Sequence, residues 1–418
     1  MPRPIVYTMI HHLSTTPQSL FEQLETQFLK PRMDRKPVHY FCGNSLGLQP
    51  IMARHYVSEV LNDWSELAVD GHFYATNRWY DFHKQLIPSL ARLAGANNSE
   101  VTVMGTLTGN LHLLMVSFFQ PKGKRTKILM EAGAFPSDQY MVETQLKFHG
   151  LDPEEHLIEV KPREGERILH TEDIVKAITE AGDELALVLF SGVQYLTGQA
   201  FDLETITRAG HQVGAMVGLD LAHAMGNVGL KLHSWNVDFA AWCNYKYLNG
   251  GPGCIAGLYV HEKYANRPDM NRFGGWWGYD EETRFLMEKG FKPMSGAQGW
   301  QMSNENILSM ASLKASMQLF DQVPLDWLEE QRKELNQHLS LVVKKFPELQ
   351  VITPKRRGAQ LSISVKGGRG KELFQFLHHS KILGDWREPD TIRLTPAPMY
   401  NNHREIDRVE EALSQFFG

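Results

Sequence analysis

Strand-like apolar runs alternate with helical patterns between residues 101 and 260, and this alternation restricts the fold more than any other feature of the chain. Short apolar runs bounded by turn residues are typical of buried strands. Alternating strands and helices favour an α/β fold with a mostly parallel sheet covered by helices on both faces. We predict strands at residues 101–104, 126–130, 156–160, 184–190, 215–219, 238–242 and 255–260, and helices at 109–119, 137–149, 171–181 and 203–214.

The pattern changes after about residue 305, where two long helical stretches are followed by short strands. We predict helices at 307–323, 325–346 and 404–416, and strands near Val351, at 361–365 and at 391–394. This part is a smaller α+β unit. Residues 1–45 are too short to fold alone, so we expect them to pack against it. The predicted division is a large domain at 46–305 and a small domain made of 1–45 and 306–418.

The net charge, the cysteines and the composition of the N-terminal residues exclude several classes of protein. The formal net charge is −5 and no basic stripe occurs, which argues against a nucleic-acid partner. Cys42, Cys243 and Cys254 form no CxxC pair, which excludes a disulfide framework and a cysteine zinc cluster and fits a reducing compartment. Residues 1–12 lack the apolar core of a secretion signal, and residues 101–119 are too polar for a membrane span. We therefore expect a cytoplasmic protein without a membrane partner.

Lys246 and Asp220 each close an apolar run, and Lys246 precedes the glycine-rich turn at residues 250–253. A buried lysine amine can form a Schiff base with the aldehyde of pyridoxal 5′-phosphate (PLP). An aspartate carboxylate can keep the pyridine nitrogen protonated, so that the ring accepts electrons from the substrate. A lone lysine at a strand end is usually solvated, but the acid upstream and the small residues downstream together favour a PLP enzyme.

Residues 105–110 lie between a predicted strand and a buried helix. Backbone N–H groups at the helix start, together with the Thr108 hydroxyl, would bind a phosphate group. The alternative is a plain helix cap by Thr106 or Thr108. The chain has neither a GxGxxG in the right context nor a GxxxxGK[ST], so the sequence gives no support for a dinucleotide site or a P-loop.

Phe135, Ser191 and Asp220 all follow predicted strands, so we expect them to share one crevice at the carboxyl ends of the sheet. Phe135 would stack on the cofactor ring, and Asp138 would lie near the ring nitrogen. The alternative for this segment is an ordinary helix start with proline in the first position and an acid in the first turn.

Asp220 and His223 also form a DxxH pattern that is typical of half a metal site. No second pair of ligands at zinc-like spacing is present in the sequence. We therefore predict that the site holds no metal.

Five segments together resemble one family, the kynureninases. They read FCGNSLGLQP at 41–50, FPSD at 135–138, LDLAHA at 219–224, NYKYLNGGPG at 244–253 and RLTPAP at 393–398, and the resemblance runs from about residue 40 to the C terminus. It implies the fold type I (aspartate aminotransferase-like) architecture that these enzymes share with class V aminotransferases. It also implies a cytosolic homodimer with active sites shared between subunits.

The activity that the resemblance implies is hydrolysis of a carbon–carbon bond. Kynureninases cleave the Cβ–Cγ bond of L-kynurenine or 3-hydroxy-L-kynurenine, with PLP as cofactor, and release anthranilate or 3-hydroxyanthranilate and L-alanine. The reaction belongs to tryptophan degradation and to the synthesis of NAD precursors. The resemblance implies two partners, the small amino-acid substrate and a second copy of the chain, and no others.

Site residues follow from the resemblance by matching positions. Catalysis is assigned to Lys246, Tyr245 and Asp220, with Tyr245 as a candidate general acid. Arg393 would pair bidentately with the substrate α-carboxylate, a task suited to the guanidinium group. Substrate contacts are expected from Ser45, His72, Ser303, Asn304 and Arg393. Cofactor contacts are expected from Leu107 (through its backbone), Thr108, Phe135, Asp138, Ser191, Asp220, His223, Tyr245 and Lys246, and from Trp276 and Asn304 of the other subunit.

The set His72, Ser303 and Asn304 bears on the substrate. Many bacterial kynureninases carry Trp, Gly and Thr there, and the residues of this chain look like those of animal enzymes that favour 3-hydroxykynurenine. Polar groups that bind a ring hydroxyl discriminate strongly, because the analogue without the hydroxyl leaves them unpaired. We therefore expect a preference for 3-hydroxykynurenine. The alternative is that His72 is a surface histidine and residues 303–304 cap a helix that begins near Glu305.

Two other functions remain compatible with a PLP fold. A cysteine desulfurase or aminotransferase could use the same architecture, but desulfurases of this type need a cysteine on a mobile loop, and the three cysteines here lie inside motifs. A non-enzymatic PLP-binding regulator would normally add a DNA-binding domain or lose the lysine, and the sequence shows neither.

Overall fold

The computed structural model describes residues 17–418, so the N-terminal stretch in which no secretion signal was recognised lies outside the described residues. In the described part, α-helices span Pro17–Glu25, Ala53–Leu67, Gly71–Tyr74, Phe82–Ala94, Leu107–Phe118, Pro136–Phe148, Pro153–His156, Thr171–Ala181, Leu203–Gln212, Ile307–Asp321, Leu325–Lys344, Gly370–His379 and His403–Phe417. The longer strands are Val101–Val103, Lys127–Glu131, Leu157–Val160, Leu185–Ser191, Met216–Asp220, Phe239–Trp242, Gly257–Val260, Leu349–Val351, Leu361–Val365, Asp385–Arg387 and Thr391–Leu394.

A seven-stranded sheet forms the centre of the molecule. The five strands between Lys127 and Trp242 run parallel to one another, and Gly257–Val260 pairs antiparallel with its neighbours on both sides. Apolar side chains on both faces of this sheet are buried under helices in two core clusters. Burial on both faces explains why these strands read as continuous apolar runs in the sequence.

A four-stranded antiparallel sheet lies nearer the C terminus, in the order Leu349–Val351, Leu361–Val365, Thr391–Leu394 and Asp385–Arg387. A separate apolar cluster covers it. The segment around Phe41 joins this sheet region, because the Phe41 amide donates to Leu383 O at 2.8 Å and Phe41 O accepts from the Thr395 amide at 2.9 Å.

The predicted fold class is confirmed: an α/β architecture with a mostly parallel sheet and a smaller α+β part. Every predicted strand and helix is present, with ends shifted by a few residues. Several elements were not predicted. They include the helices Ala53–Leu67, Phe82–Ala94 and Gly370–His379 and the strand Asp385–Arg387, whose apolar residues are interrupted by charged or polar ones, and the short helices Pro17–Glu25, Gly71–Tyr74 and Pro153–His156.

The division into two domains stays a prediction. Helix Ile307–Asp321, which was assigned to the small domain, packs against helices Ala53–Leu67 and Phe82–Ala94. Helix Leu325–Lys344 contributes buried side chains to the cluster that covers the smaller sheet. No helix among residues 17–418 combines the length and apolar character needed to cross a membrane.

Candidate active site

A cavity of about 360 Å³ opens where several parallel strands end. Strands Lys127–Glu131, Leu185–Ser191 and Met216–Asp220 each finish at its wall, and helices Leu107–Phe118 and Pro136–Phe148 begin there. This position follows from the topology, because the carboxyl ends of parallel strands meet at one edge of the sheet. The volume lies within the range of small-molecule sites. Its walls include Asn44, Ser45, Thr106, Leu107, Thr108, Glu131, Phe135, Asp138, Ser191, Tyr195, Asp220, His223, Cys243, Tyr245, Lys246, Arg387 and Arg393.

Lys246 is held in the cavity by a loop that follows strand Phe239–Trp242. Asn244 fixes the loop: its side chain accepts from Trp242 Nε1 at 2.9 Å and donates to Ile255 O at 2.7 Å, and its carbonyl accepts from the Gly250 amide at 2.8 Å. Lys246 is buried, and its Nζ lies 5.8 Å from the centroid of the Phe135 ring. The amine therefore sits beside an aromatic face in a fixed position.

Gly47 locks the N-terminal segment against the same loop. Its amide donates to Tyr245 O at 2.9 Å. A Cβ atom at this position would lie only 2.4 Å from Lys246 O and 2.2 Å from Asn249 Oδ1, so no side chain fits without moving the loop. The glycine thus allows the backbone of residues 44–47 to contact the backbone that carries the amine.

Three buried carboxyl groups meet at the base of the cavity: Glu131, Asp138 and Asp220. Ser191 donates a short hydrogen bond to Glu131, and the Ala222 amide donates to Asp220 Oδ1 at 2.7 Å. Within residues 17–418, none of the three acids takes part in an ion pair, and Glu131 Oε2 has no hydrogen-bond partner. The cluster therefore holds buried acids without a compensating cation.

Burial controls the protonation of this acid cluster. Burial is the main cause that raises the pKa of Glu131 to about 8; the Ser191 hydrogen bond opposes the shift and the nearby Asp220 adds to it. Burial and the neighbouring Asp220 also raise the pKa of Asp138 well above its usual value. Acids that retain protons in a cleft are common at functional sites. A cationic ligand group, such as a protonated pyridine nitrogen, fits this cluster because it supplies the missing positive charge.

Another part of the cavity, at the start of helix Leu107–Phe118, suits an anion. Thr106 precedes helix Leu107–Phe118 with an extended backbone, but its side chain makes no capping hydrogen bond, so the predicted alternative of a threonine cap is wrong at this position. The first backbone N–H groups of the helix are left for a ligand. His223 lies nearby with Nδ1 unpartnered among the described residues. Burial, with Lys246 and two arginines adding to it, lowers the pKa of His223 well below its usual value.

Tyr245 lines the cavity next to Lys246, and Lys246 Nζ lies 5.8 Å from its ring centroid. Burial is the main cause that raises the pKa of its phenol, and Cys243 adds to the effect. The hydroxyl therefore stays protonated near neutral pH, as a hydrogen-bond donor or general acid must.

Phe135 begins helix Pro136–Phe148, with proline in the first helical position and Asp138 in the first turn. The alternative of an ordinary helix start is confirmed, and Phe135 also lines the cavity with 39% of its surface exposed. Its stacking on a cofactor ring stays a prediction. Its ring packs edge-on against Tyr195 at 5.1 Å between centroids. A flat ligand ring could cover the exposed face.

Arg393 and Ser45 lie on one wall of the cavity. The Arg393 side chain is 1% exposed, and its Nη1 donates to Tyr195 O at 2.6 Å. Its Nη2 donates to Ser45 Oγ at 3.3 Å. The structure therefore places two of the five predicted substrate residues together.

The other three, His72, Ser303 and Asn304, do not line this cavity, and neither does Trp276. His72 packs edge-on against Trp79 at 5.4 Å in the short helix Gly71–Tyr74. Helix Ile307–Asp321 is capped by Asn306, whose side chain accepts from the Ser309 amide, so the alternative in which residues 303–304 act as the cap is wrong.

Sequence reasoning missed several residues of the cavity: Asn44, Glu131, Tyr195, Cys243 and Arg387. Glu131 had a usable signal, because it ends an apolar strand as Asp220 does. No sequence signal pointed to Arg387, because it lies on a strand that was not predicted.

One group of possible metal ligands occurs among the described residues, and it lies elsewhere: Glu100, His233 and His261. Glu100 is fully buried and its side chain accepts from the backbone amides of Asn97 and Glu262, both at 2.8 Å. These bonds give the acid a capping role. Asp220 and His223 do not belong to the group.

Comparison with known proteins identifies the family. The profile of the aminotransferase class-V family matches residues 57–383. A kynureninase from Christiangramia forsetii is 54% identical over 397 residues, which cover 93% of each chain. A kynureninase from Flavobacterium johnsoniae is 50% identical over 397 residues, again 93% of each chain.

Solved structures show the same fold at much lower identity. The cysteine desulfurase CsdA from Escherichia coli superimposes with a TM-score of 0.77 at 15% identity, over 96% of this chain and 98% of that one. The cystine C–S lyase C-DES gives a TM-score of 0.77 at 18% identity, over 90% and 97%. Together with the family match, these similarities confirm PLP as the cofactor. The chain belongs to the kynureninases, within the class-V aminotransferase family.

Proposed function

We propose that this protein is a hydrolase that adds water across the Cβ–Cγ bond of L-kynurenine or 3-hydroxy-L-kynurenine. The products are anthranilate or 3-hydroxyanthranilate and L-alanine, in tryptophan breakdown and NAD precursor synthesis. One observation carries the proposal beyond family membership: the buried Lys246 shares a single cavity with three buried acids and with the buried Arg393. This is the set of groups that a PLP enzyme acting on an amino acid needs.

The cofactor would be held by residues at both ends of the cavity. Lys246 would bind its aldehyde carbon, Asp220 its ring nitrogen with Asp138 alongside, and the exposed face of Phe135 would cover the ring. Leu107, Thr108, Ser191, His223 and Tyr245 would surround the remaining groups, with the open helix start at the phosphate. When bound, PLP supplies an electron sink for negative charge that develops on the substrate α carbon.

Proton transfers fall to Lys246 and Tyr245. The Lys246 amine would accept the α proton of the substrate and return it. Tyr245, whose raised pKa keeps the phenol protonated, would donate a proton or hydrogen bond to the group that departs. Asp220 would stabilise a positive ring nitrogen, because its carboxyl group is buried and fixed by the Ala222 amide.

Arg393 and Ser45 would bind the substrate α-carboxylate. A guanidinium group can bind a carboxylate through two parallel donors once its present acceptors are displaced, and burial strengthens the attraction. Arg393 lines the same cavity as Lys246 and the acid cluster, which supports this role.

We further propose a homodimer in which a second copy completes the cavity. An exposed aromatic patch runs through Phe73, Tyr80, Phe285 and Trp276, with ring centroids 5.6, 6.0 and 5.3 Å apart in that order. Phe73, Phe285 and Trp276 are each about half exposed in the single chain. Exposed apolar patches of this kind mark interaction surfaces.

Covering this patch would bring His72, Ser303, Asn304 and Trp276 of one copy toward the cavity of the other. There His72 and Asn304 would bind the ring hydroxyl of 3-hydroxykynurenine, which is the basis of the proposed preference. Light scattering on the purified protein tests the assembly: a mass of twice 47.7 kDa supports it, and a monomer would reject it.

A desulfurase function has less support. Its chemistry needs a reactive thiolate, and the one cysteine that lines the cavity, Cys243, is buried. Burial is the main cause that raises the pKa of this thiol, which disfavours the thiolate. All three cysteines are unpaired, and together with the family resemblance this supports a reducing, cytoplasmic location.

The deciding experiment is steady-state hydrolysis of both substrates by the PLP-loaded protein, with alanine measured as product and L-cysteine as the comparison substrate. A higher kcat/KM for 3-hydroxy-L-kynurenine supports the whole proposal. A preference for L-kynurenine keeps the reaction and rejects the pocket assignment for His72 and Asn304. Sulfide release from cysteine without cleavage of either kynurenine would overturn the proposed function.

A further inference from the structure

Arg393 is already bound to a carboxylate of its own chain. Its Nη2 donates a short hydrogen bond to Asp385, which lies directly opposite on the neighbouring strand in register with it. With Ser45 Oγ as the second acceptor, both hydrogens of Nη2 are engaged. Only Nε has no partner among the described residues. The guanidinium therefore offers no free pair of donors for a second carboxylate.

Ser45 is held in the same way. Its hydroxyl donates a short hydrogen bond to the same carboxylate oxygen of Asp385 that Arg393 contacts. The two side chains proposed to bind the substrate α-carboxylate thus converge on a single acid. In geometry and charge, Asp385 takes the place that a substrate carboxylate would take.

Asp385 has a second cation beside it. Arg387, two residues along the same strand, lines the cavity and lies 3.2 Å from Asp385 Oδ1 through Nε. Its Nη2 donates to Oδ2 at 3.3 Å. Arg387 is 39% exposed at the side chain, whereas Arg393 is 1% exposed. Asp385 can therefore leave the buried arginine and stay paired with the outer one.

We infer that Asp385 is an internal competitor for the α-carboxylate subsite: it neutralises Arg393 and holds Ser45 until the substrate displaces it toward Arg387. The inference rests on the proposed role of Arg393. A buried charge that loses its partner is costly, so an empty subsite without Asp385 would leave Arg393 unpaired. The carboxylate of any amino-acid ligand must displace Asp385 from Arg393. Its measured binding free energy is therefore the difference between its own interaction with Arg393 and that of Asp385.

Substitution of Asp385 by asparagine tests this, because the amide keeps the shape of the side chain and removes the competing charge. In the PLP-loaded enzyme, Asp385→Asn should bind L-alanine about tenfold more tightly, as followed by the visible absorbance of the cofactor. The KM for L-kynurenine should fall in parallel. Kynuramine, which has the substrate ring and amine but no carboxylate, should inhibit variant and wild type with the same Ki.

A matched control is available on the same hairpin. Asp390→Asn removes an acid that pairs with the exposed Arg167, outside the cavity, and should leave the alanine affinity unchanged. Weaker alanine binding by Asp385→Asn, with a raised KM, would mean that Asp385 merely orients Arg393 and would overturn the inference. An equal shift for kynuramine would also overturn it, since the effect would then not depend on the carboxylate.

A second variant covers the case in which Asp385→Asn does not fold. Arg387→Gln removes the cation that receives the displaced acid, so it should weaken alanine binding and leave kynuramine inhibition unchanged. In the double variant with Asp385→Asn, the Arg387 substitution should have no further effect if it acts through Asp385. An undiminished effect there contradicts the inference. Failure of the wild type to cleave either L-kynurenine or 3-hydroxy-L-kynurenine would instead reject the proposed function, so the two failures are distinguishable.

Discussion

Buried acids occur at both ends of the central sheet, and they behave in opposite ways. At the carboxyl end, Glu131 and Asp138 lack cations and their pKa values are raised. At the amino end, Asp238 lies just before strand Phe239–Trp242 with its side chain 1% exposed. Burial alone would raise its pKa, but His211 and Lys263 outweigh that effect, and the pKa of Asp238 is lowered.

The contacts of Asp238 explain the difference. Its Oδ2 accepts from the Val217 amide at 2.7 Å and pairs with His211 at 2.8 Å. Its Oδ1 pairs with Lys263 and accepts from Tyr264, both at 2.7 Å. The charge of Asp238 is compensated within the chain, whereas no cation pairs with the acid cluster at the other end among the described residues, which fits the proposed binding of a cationic cofactor group there. The comparison separates a structural from a functional use of the same residue type.

The largest difference in kcat is expected between substitutions of the two lysines, Lys246 at the carboxyl end of the sheet and Lys263 at the amino end. Lys246→Ala should lower kcat for kynurenine hydrolysis by at least roughly 10⁴-fold, because the covalent and proton-transfer group is lost. Lys263→Ala, at the amino end, should keep kcat and lose only stability. Steady-state rates with thermal melting measure both. Normal turnover by Lys246→Ala would remove Lys246 from the proposed site.

The second-largest effect on kcat is expected from substitution of an acid at the carboxyl end of the sheet. Asp220→Asn should reduce kcat by roughly 10³-fold, since the amide no longer stabilises a positive ring nitrogen. The free energy of unfolding should stay the same or rise, because one charge of a repulsive cluster is removed. A loss of activity that merely follows a loss of folded protein would contradict this distinction.

Asp238→Ala should have the reverse profile. It leaves His211 and Lys263 without their buried partner, and we expect a loss of about 3 kcal/mol in the free energy of unfolding. Denaturant titration measures this value, and kcat per folded enzyme should be unchanged. If kcat falls while stability stays, the amino end is not purely structural.

A smaller, pH-dependent effect is expected from Glu131. Its folded pKa of about 8 exceeds its ordinary value, so the folded state binds more protons, and stability falls as the pH rises between those values. Glu131→Gln removes this loss. In the cofactor-free protein, the stability gained by the variant should grow by roughly 2 kcal/mol between about pH 5 and about pH 7. A gain that does not change with pH would mean that Glu131 is ionised in the folded state.

Sequence reasoning identified an element or a site residue only where the neighbouring residues formed a recognisable pattern. The strands of the central sheet were predictable because burial on both faces requires continuous apolar runs. Asp220 and Lys246 were identifiable because each interrupts such a run with a charge at a strand end. Helix Phe82–Ala94 was not, since its buried residues alternate with charged ones around an internal proline.

The partners of Arg393 were beyond the sequence for a different reason. Asp385 and Ser45 meet it across 8 and 348 positions of chain, and only the paired strands and the N-terminal segment bring them together. The proposed roles of His72 and Asn304 would depend on a second copy of the chain, so they stay predictions. Periodicity reports local structure, and contacts between distant segments leave no periodic trace.

The close fit of Gly47 against the lysine loop has a consequence for biosynthesis. The segment that contains Gly47 is anchored through Phe41 to residues 383 and 395, near the end of the chain. The lysine loop is therefore clamped only after residues 383 and 395 have been synthesised. A chain truncated before residue 383 would lack the anchor of this clamp.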